Sequence, residues 1–385
     1  MTVNFDFGLE NFLSDNSITG KIAIVTNNTG RDRQGIHIVE RISQKAGINI
    51  LKIFTPEHGF GSNAPDGEAV SNSSHSSFKI PITSLYGPKK KPDYDDLKGL
   101  DFVLFDIQDV GVRFYTYIST LRNIIDSCAQ FHIPVIILDR PNLICAEKVE
   151  GPIMETGFES FVGYLPVPLR YGLTPAELGL WWNSQLSIPA EIKVYKCQGY
   201  SRSSIFENLG IPWFQPSPSM ISIETAKFYP GTCFFEGINV SEGRGTDKPF
   251  QKLGAPWINS RKWHHHLSSL LPKDVTIFET EFTPTFSKYQ GELCRGIFLQ
   301  TTLPVLPDTV KIAIKALFAL IQSHPGKIEF SSRPGFHHPF FDLLAGNSWL
   351  RNGLKTSQNL QELESRVSQG IEEFKKNTEK FHLYQ

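Results

Sequence analysis

FVLFDIQDVGVRFYTYISTLRNIIDSCAQFHIPVIIL, residues 102–138, sets the architecture of the chain. A short apolar run, Phe102 to Ile107, passes through a polar turn into a helix over Tyr117 to Phe131. A second apolar run, Pro134 to Leu138, follows and ends at Asp139-Arg140-Pro141. Strand, crossover helix and strand are the unit of a parallel sheet. Strands that are apolar throughout, rather than alternating, belong to a sheet covered on both faces.

The same alternation extends upstream. Lys21 to Thr26 (KIAIVT) is a strand that ends in the loop Asn27-Asn28-Thr29-Gly30. Gln34 to Ala46 shows helical spacing, with Ile36, Val39, Ile42 and Ala46 on one face. Ile48 to Phe54 is a further strand and runs into Thr55-Pro56-Glu57-His58-Gly59. Ligands of such sheets sit outside the carboxyl ends of the strands. Those ends carry Asn27, Glu57, His58, Gln108, Asp109, Asp139 and Arg140.

Downstream of Gly151 the texture changes, with more Pro and Gly and shorter segments. Thr174 to Asn183 reads as a helix capped by Thr174, with Pro175 first and Glu177 three past the cap. Ile192 to Tyr195 is a short strand. Ala226 to Trp257 reads as a loop-rich block, too polar and glycine-rich for core. A strand near Gly296 to Thr301, a helix over Asp308 to Ser323 and a terminal helix over Ser357 to Lys375 complete the chain. The expected division is 1–270 for the parallel-sheet unit with loop-rich insertions and 271–385 for a smaller α+β unit.

Composition bounds the function. With 385 residues the chain can hold two cores, and 40% hydrophobic with 20% charged residues is ordinary for a globular protein. A formal net charge of −1 gives no field to gather nucleic acid or an anionic membrane. An acidic ligand would have to be met by individual Arg or Lys residues. The five cysteines are scattered and lack CxxC or zinc spacing, which points to a reducing compartment. Met1 to Ser14 carries Asp6 and Glu10 and lacks the basic start and apolar core of an export signal. No apolar run has the length of a membrane span. The expectation is a soluble cytoplasmic protein, the alternative being an exported one whose signal is absent from this sequence. His264-His265-His266 and His337-His338 are adjacent rather than four apart, so no metal or other cofactor is expected. Trp181-Trp182 reads as packing and Lys89-Lys90-Lys91 as a solvated loop.

Three loops carry chemistry. Phe54-Thr-Pro-Glu-His-Gly-Phe-Gly61 is a rigid turn that exposes Glu57 at a strand end. A glycosidase needs such a carboxylic acid to protonate a leaving oxygen, although a Glu capping the next segment satisfies the same spacing. Asp106 to Tyr117 packs Asp106, Gln108, Asp109, Arg113, Tyr115 and Tyr117 into one turn. Hydrogen-bonding groups beside rings suit a sugar; an Asp106–Arg113 ion pair bracing the turn is the structural alternative. Phe228 to Trp257 places Glu236, Asn239, Glu242 and Arg244 among glycines that let the backbone approach a ligand.

Together these loops resemble the exo-acting β-N-acetylmuramidase family of the NamZ type, long catalogued as a domain of unknown function. The resembling segments are PEHGFG, FDIQDVGVRFYTYISTL, LDRPN, EGPI, PVPLRYGLTPAELG, FYPGTCFFEGINVSEGRGTDKPFQKLGAPW, YQGELCRG and FDLLAG, in family order over most of the chain. Ser217-Pro-Ser-Met-Ile-Ser222 departs from the SPNMP pattern that the family has at this point. The resemblance implies a Rossmann-like parallel-sheet domain, a smaller C-terminal domain, and an active site in the cleft between them. It further implies removal of N-acetylmuramic acid from the non-reducing end of peptidoglycan fragments, with Glu57 as the catalytic residue. The partner implied is a small carbohydrate; no nucleic acid and no membrane is implied.

On that footing Glu57 is the expected general acid, with His58 bonded to it or to substrate. The second carboxylate is open between Asp109, Glu236 and Glu242. The lactyl carboxylate of the sugar calls for a guanidinium, Arg244 or Arg113 first and Arg140 third. Asn27, Gln108, Tyr115, Tyr117 and Asn239 complete the expected contacts. A muramyl-binding protein without catalysis is the rival from another class. A nucleotide enzyme would need GxGxxG after the first strand, and Asn27 to Gly35 does not supply it.

Overall fold

The computed structural model describes residues 5–65, 67, 68, 71–75, 77–333, 335–356 and 359–385. Its main sheet contains β1 (Gly20–Thr26), β2 (Ile48–Thr55), β3 (Ser73–Ser74), β4 (Pro81–Ser84), β5 (Phe102–Asp106), β6 (Val135–Leu138) and β7 (Ile192–Tyr195). The spatial order is β3-β4-β2-β1-β5-β6-β7, parallel throughout except where β3 meets β4. From β1 the chain builds outward through β2 and β4, then returns to lay β5 on the other side of β1. The seam between β1 and β5 is therefore the topological switch point of a doubly wound sheet.

The apolar runs are continuous because each strand feeds two cores. Ile22 and Ile24 of β1, with Leu104 and Ile136, face a cluster closed by Leu9, Phe12, Ile38, Val39 and Ile42 from two short helices. Ala23 and Val25, with Val103, Phe105 and Ile137, face the opposite way, onto Leu121, Ile124, Ile125 and Cys128 of the Tyr117–Phe131 helix. Alternation by one residue decides which core a side chain enters. Truncating a fully buried member such as Leu104 to Ala is expected to cost about 2–5 kcal/mol.

The helix at Thr174 is built as its sequence implies. The Thr174 hydroxyl accepts from the Glu177 N–H at 3.2 Å, and Glu177 accepts from the Thr174 N–H at 3.0 Å. The helix over Gln34 to Ala46 is shorter than its spacing suggests, Ile38–Ser43. Asp32 explains the loss: its carboxylate accepts from the N–H groups of Gln34 and Ile36, so the first turn is spent on a side-chain-stabilised loop.

A second sheet orders β8 (Lys252–Ala255), β10 (Cys294–Thr301) and β9 (Val275–Phe282) in antiparallel fashion, with β10 central. The Thr309–Ser323 helix packs against the helices Ile223–Thr232 and Ser260–Ser268 beside it. Ala226 to Trp257 is thus not the exposed loop block its composition suggests. It holds most of one helix, a 3-10 turn over Cys233–Gly237 and β8, with Phe228, Phe234, Phe235 and Val240 buried. Its glycines serve contact: a Cβ on Gly231 would lie 2.2 Å from the Thr309 carbonyl oxygen, and one on Gly237 would lie 2.5 Å from Phe341 Cα. The start of the expected terminal helix, Ser357, lies outside the described residues. Its described part is two helices, Leu360–Arg366 and Ile371–Thr378, divided at Gly370 with φ +79°. The core is continuous across both sheets, running from Val103 and Phe105 through Phe228 and Phe234 to Leu317.

Candidate active site

A cleft of about 330 Å³ opens where the carboxyl edge of the main sheet meets the loop before β8 and the loop between β9 and β10. On the sheet side, β2 delivers Glu57 through Pro56. His58 adopts a left-handed conformation (φ 67°), followed by Gly59 at φ 71°. A non-glycine residue there stores about 1–3 kcal/mol of strain, of the kind that clusters at functional sites. His58 is tied down by an Nδ1–H that donates to the Ala64 carbonyl at 2.7 Å, so its ring braces the turn. Glu57 is 8% exposed and both its oxygens are held. Oε1 accepts from the Gly67 N–H at 2.9 Å and Oε2 from the Thr116 hydroxyl at 2.7 Å. Thr116 occupies the cap position of the Tyr117–Phe131 helix yet makes no cap hydrogen bond; its hydroxyl serves Glu57 instead.

The facing wall comes from the second half. Arg244 spans two carboxylates, with Nη2 2.9 Å from Glu236 Oε1 and Nε 3.2 Å from Glu242 Oε1. Its guanidinium lies 4.9 Å from the Phe250 ring centroid. Lys288 donates to Glu242 Oε2 at 3.1 Å and to the carbonyls of Phe235 and Val240 at 2.6 and 2.9 Å. Gly243 permits this turn: its φ is +79°, and a Cβ there would stand 2.5 Å from the Lys252 carbonyl oxygen. Tyr86, Phe114, Tyr115 and Tyr229 add ring surface, while Ser217 and Met220, within the segment that departs from the SPNMP pattern, also line the cleft. The site is a polar pocket with aromatic flanks, which matches what a sugar needs.

Of the residues expected from sequence, the cleft gathers Glu57, His58, Tyr115, Glu236, Glu242 and Arg244. The others lie outside its lining, each with a structural task. Arg113 is fully buried and donates to the carbonyls of Pro152, Val167 and Leu344, not to Asp106. Asp106 pairs instead with Arg140, Nε to Oδ1 at 2.5 Å and Nη2 to Oδ2 at 2.9 Å, and Arg140 also donates to the Arg31 carbonyl. Asp109 accepts from the Gly111 N–H at 2.6 Å and from the Tyr171 hydroxyl, and burial pushes its pKa up to about 7. Gln108 donates to the carbonyls of Asp109 and Pro141. Tyr117 donates to the Pro216 carbonyl, and Asn239 exchanges hydrogen bonds with the Lys327 and Glu329 backbone. Asn27 accepts from the Thr29 hydroxyl at 2.6 Å, and Thr29 in turn accepts from the Gln108 N–H at 2.9 Å.

The last group matters because it fills the β1/β5 seam, where a doubly wound sheet would hold a nucleotide. Here most of the seam is filled by the protein's own pairs, with Asn27 Nδ2 and Arg140 Nη1 left without a hydrogen bond among the described residues. Sequence reasoning passed over Thr116, Lys288, Arg333 and the Gly67 N–H. Thr116 sits between two tyrosines already singled out, so a threonine at a helix start was its signal. Lys288 directly precedes the YQGELCRG segment, which was its signal; Arg333 lies in a stretch without a motif and had none.

The chain is similar to known proteins along nearly its whole length. Residues 22–224 match the family described as Exo-beta-N-acetylmuramidase NamZ, N-terminal, and residues 227–384 match its C-terminal counterpart. The chain is 36% identical over 380 residues to the Peptidoglycan beta-N-acetylmuramidase NamZ of Bacillus subtilis (strain 168), covering 98% of this chain and 91% of that protein. Two crystal structures of DUF1343 family proteins from Bacteroides fragilis NCTC 9343 are similar. One has a TM-score of 0.90 at 27% identity over the full length of both chains. The other has a TM-score of 0.77 at 29% identity over 99% of each. With both halves matched in order and a relative 36% identical along nearly its whole length, the chain belongs to the exo-β-N-acetylmuramidase NamZ family.

Proposed function

We propose that the chain is a glycoside hydrolase that removes N-acetylmuramic acid from the non-reducing end of peptidoglycan fragments. The observation that carries the reading is Glu57: a nearly buried carboxyl group, held at both oxygens, facing a polar cleft whose other wall bears two more carboxylates. Family membership and the curated relative from Bacillus subtilis support the substrate class.

In this mechanism Glu57 gives its proton to the glycosidic oxygen as the C1–O bond breaks and the electron pair leaves with that oxygen. In an inverting course water adds to C1 and its proton passes to a second carboxylate. In a retaining course that carboxylate, or the substrate's own 2-acetamido oxygen, first bonds C1, and Glu57, now ionised, takes the proton of the water that displaces it. Glu236 suits the second role better than Glu242. Both oxygens of Glu242 are engaged, by Arg244 and Lys288. Glu236 is bonded through Oε1 to Arg244, and Arg333 lies 3.9 Å from its Oε2. A Glu57–Glu236 separation of about 5 Å would favour retention through a covalent intermediate, and about 6.5–9.5 Å inversion. Five buried, unbridged cysteines support a reducing, cytoplasmic setting.

The test compares wild type with Glu57→Gln on two substrates. A muramyl disaccharide leaves as an alkoxide that needs a proton, so the variant should lose about a hundredfold or more in kcat. A nitrophenyl muramic glycoside leaves as a stable phenoxide, and the loss should be smaller. Near-normal turnover of the disaccharide would remove Glu57 from the acid role. Sugar binding without cleavage by wild type would make the protein a muramyl-binding module instead.

A further inference from the structure

N-acetylmuramic acid differs from N-acetylglucosamine by one charged group, the lactyl carboxylate. A cleft that prefers the former needs a cation with donors to spare. Three described cations line the cleft: Arg244, Lys288 and Arg333. The first two are engaged. Arg244 bridges Glu236 and Glu242 and is about one-tenth exposed. Lys288 directs its ammonium to two carbonyls and to Glu242, which accounts for the three protons it has to give.

Arg333 differs on each count. Its side chain is 47% exposed, and its nearest carboxylate oxygen, Glu236 Oε2, lies 3.9 Å away, beyond hydrogen-bonding distance. Its guanidinium stands 3.3 Å from the Phe340 ring centroid. A guanidinium stacked by its face keeps its N–H edges for in-plane partners, the geometry that grips a carboxylate at two points. Glu236 does not exhaust it, since five N–H donors can serve two carboxylates on different edges.

We infer that Arg333 is the specificity-determining residue that reads the lactyl carboxylate, while Arg244 holds the Glu236–Glu242 pair in place. The inference rests on the muramidase reading above and reassigns the anion contact from the arginines that the sequence alone suggests.

The experiment measures binding of free N-acetylmuramic acid and free N-acetylglucosamine by calorimetry, and kcat and KM on the muramyl disaccharide, for wild type, Arg333→Met and Arg333→Lys. Arg333→Met should weaken the muramic sugar by about ten- to a hundredfold, with N-acetylglucosamine binding unchanged. KM should rise more than kcat falls, and Arg333→Lys should recover part of the loss. Retained N-acetylglucosamine binding also reports a folded cleft. Equal loss for both sugars, or an undiminished muramic preference in Arg333→Met, overturns the assignment. If wild type cleaves the disaccharide and Arg333→Met keeps its preference, Arg333 falls and the function stands. A wild type that neither cleaves the disaccharide nor prefers the muramic sugar overturns the function and this inference together.

Discussion

Two polar clusters sit at the carboxyl edge of the same sheet. Beyond β1 and β5, Asp106, Arg140, Asn27, Thr29 and Gln108 turn to one another until little of them is left for a ligand. Beyond β2, Glu57 is held by two donors yet still faces open volume, across from Glu236 and Glu242. Both clusters are rich in charge and both lie at positions where such sheets bind ligands. They differ in whether the polar groups are mostly paired with one another or aimed into a cavity. The first pattern makes a brace, the second a candidate site.

The comparison predicts that substitutions in the two clusters fail in different ways. The largest effect belongs to Glu57→Gln, with kcat on the disaccharide down by about a hundredfold or more while the urea midpoint holds or rises. A fall in stability matching the fall in rate would erase the distinction. Arg140→Met should do the reverse. Asp106 would be left buried without its counter-ion, at a cost of about 3–5 kcal/mol in urea unfolding, with turnover per folded molecule near wild type. Retained stability there would mean that the seam is not the brace described.

A pH effect of intermediate size comes from Asp109 and Asp139, which burial raises to about 7 from an ordinary value of 3.8. In each case the folded state holds its proton longer than the unfolded state. Stability from these groups is therefore full below about pH 4 and declines as pH rises toward 7, by up to a few kcal/mol each. Asp109→Asn, neutral at every pH, should flatten that part of the urea-midpoint profile; an unchanged slope would show that Asp109 is ionised in the folded protein. The smallest effect expected is that of Thr116→Val, which removes one donor to Glu57 and should lower kcat about tenfold with stability little changed. Unaltered kcat would leave Thr116 as packing only.

Much of the first sheet was legible along the chain. Strands covered on both faces announce themselves as unbroken apolar runs, and the Tyr117–Phe131 helix follows directly from the stretch that contains it. Thr174 and Glu177 formed the capping box their spacing implies, because a capping box is a local contract between residues three apart. Ala226 to Trp257 misled for the opposite reason. Glycine there admits the Thr309 carbonyl and the Phe341 backbone, partners some 80 to 100 positions away in sequence. A composition count cannot separate a glycine that frees a loop from one that lets two helices touch. The same limit applied to the arginines: Arg113, Arg140 and Arg244 are all placed among promising neighbours, and what decides each is which carbonyl or carboxylate meets it.

The amino-acid order alone determined a parallel sheet covered on both faces, the strand end that carries Glu57, and the family to which the motifs point. These are properties of periodicity and of short segments, which act over a turn or a strand. Tertiary structure alone decided which charges are already spent. Hydrogen-bond satisfaction depends on partners brought in from remote segments, and that is why Arg140 pairs across a seam, Arg244 bridges two acids, and Arg333, in a stretch without any motif, stands half-exposed at the cleft 3.9 Å from Glu236.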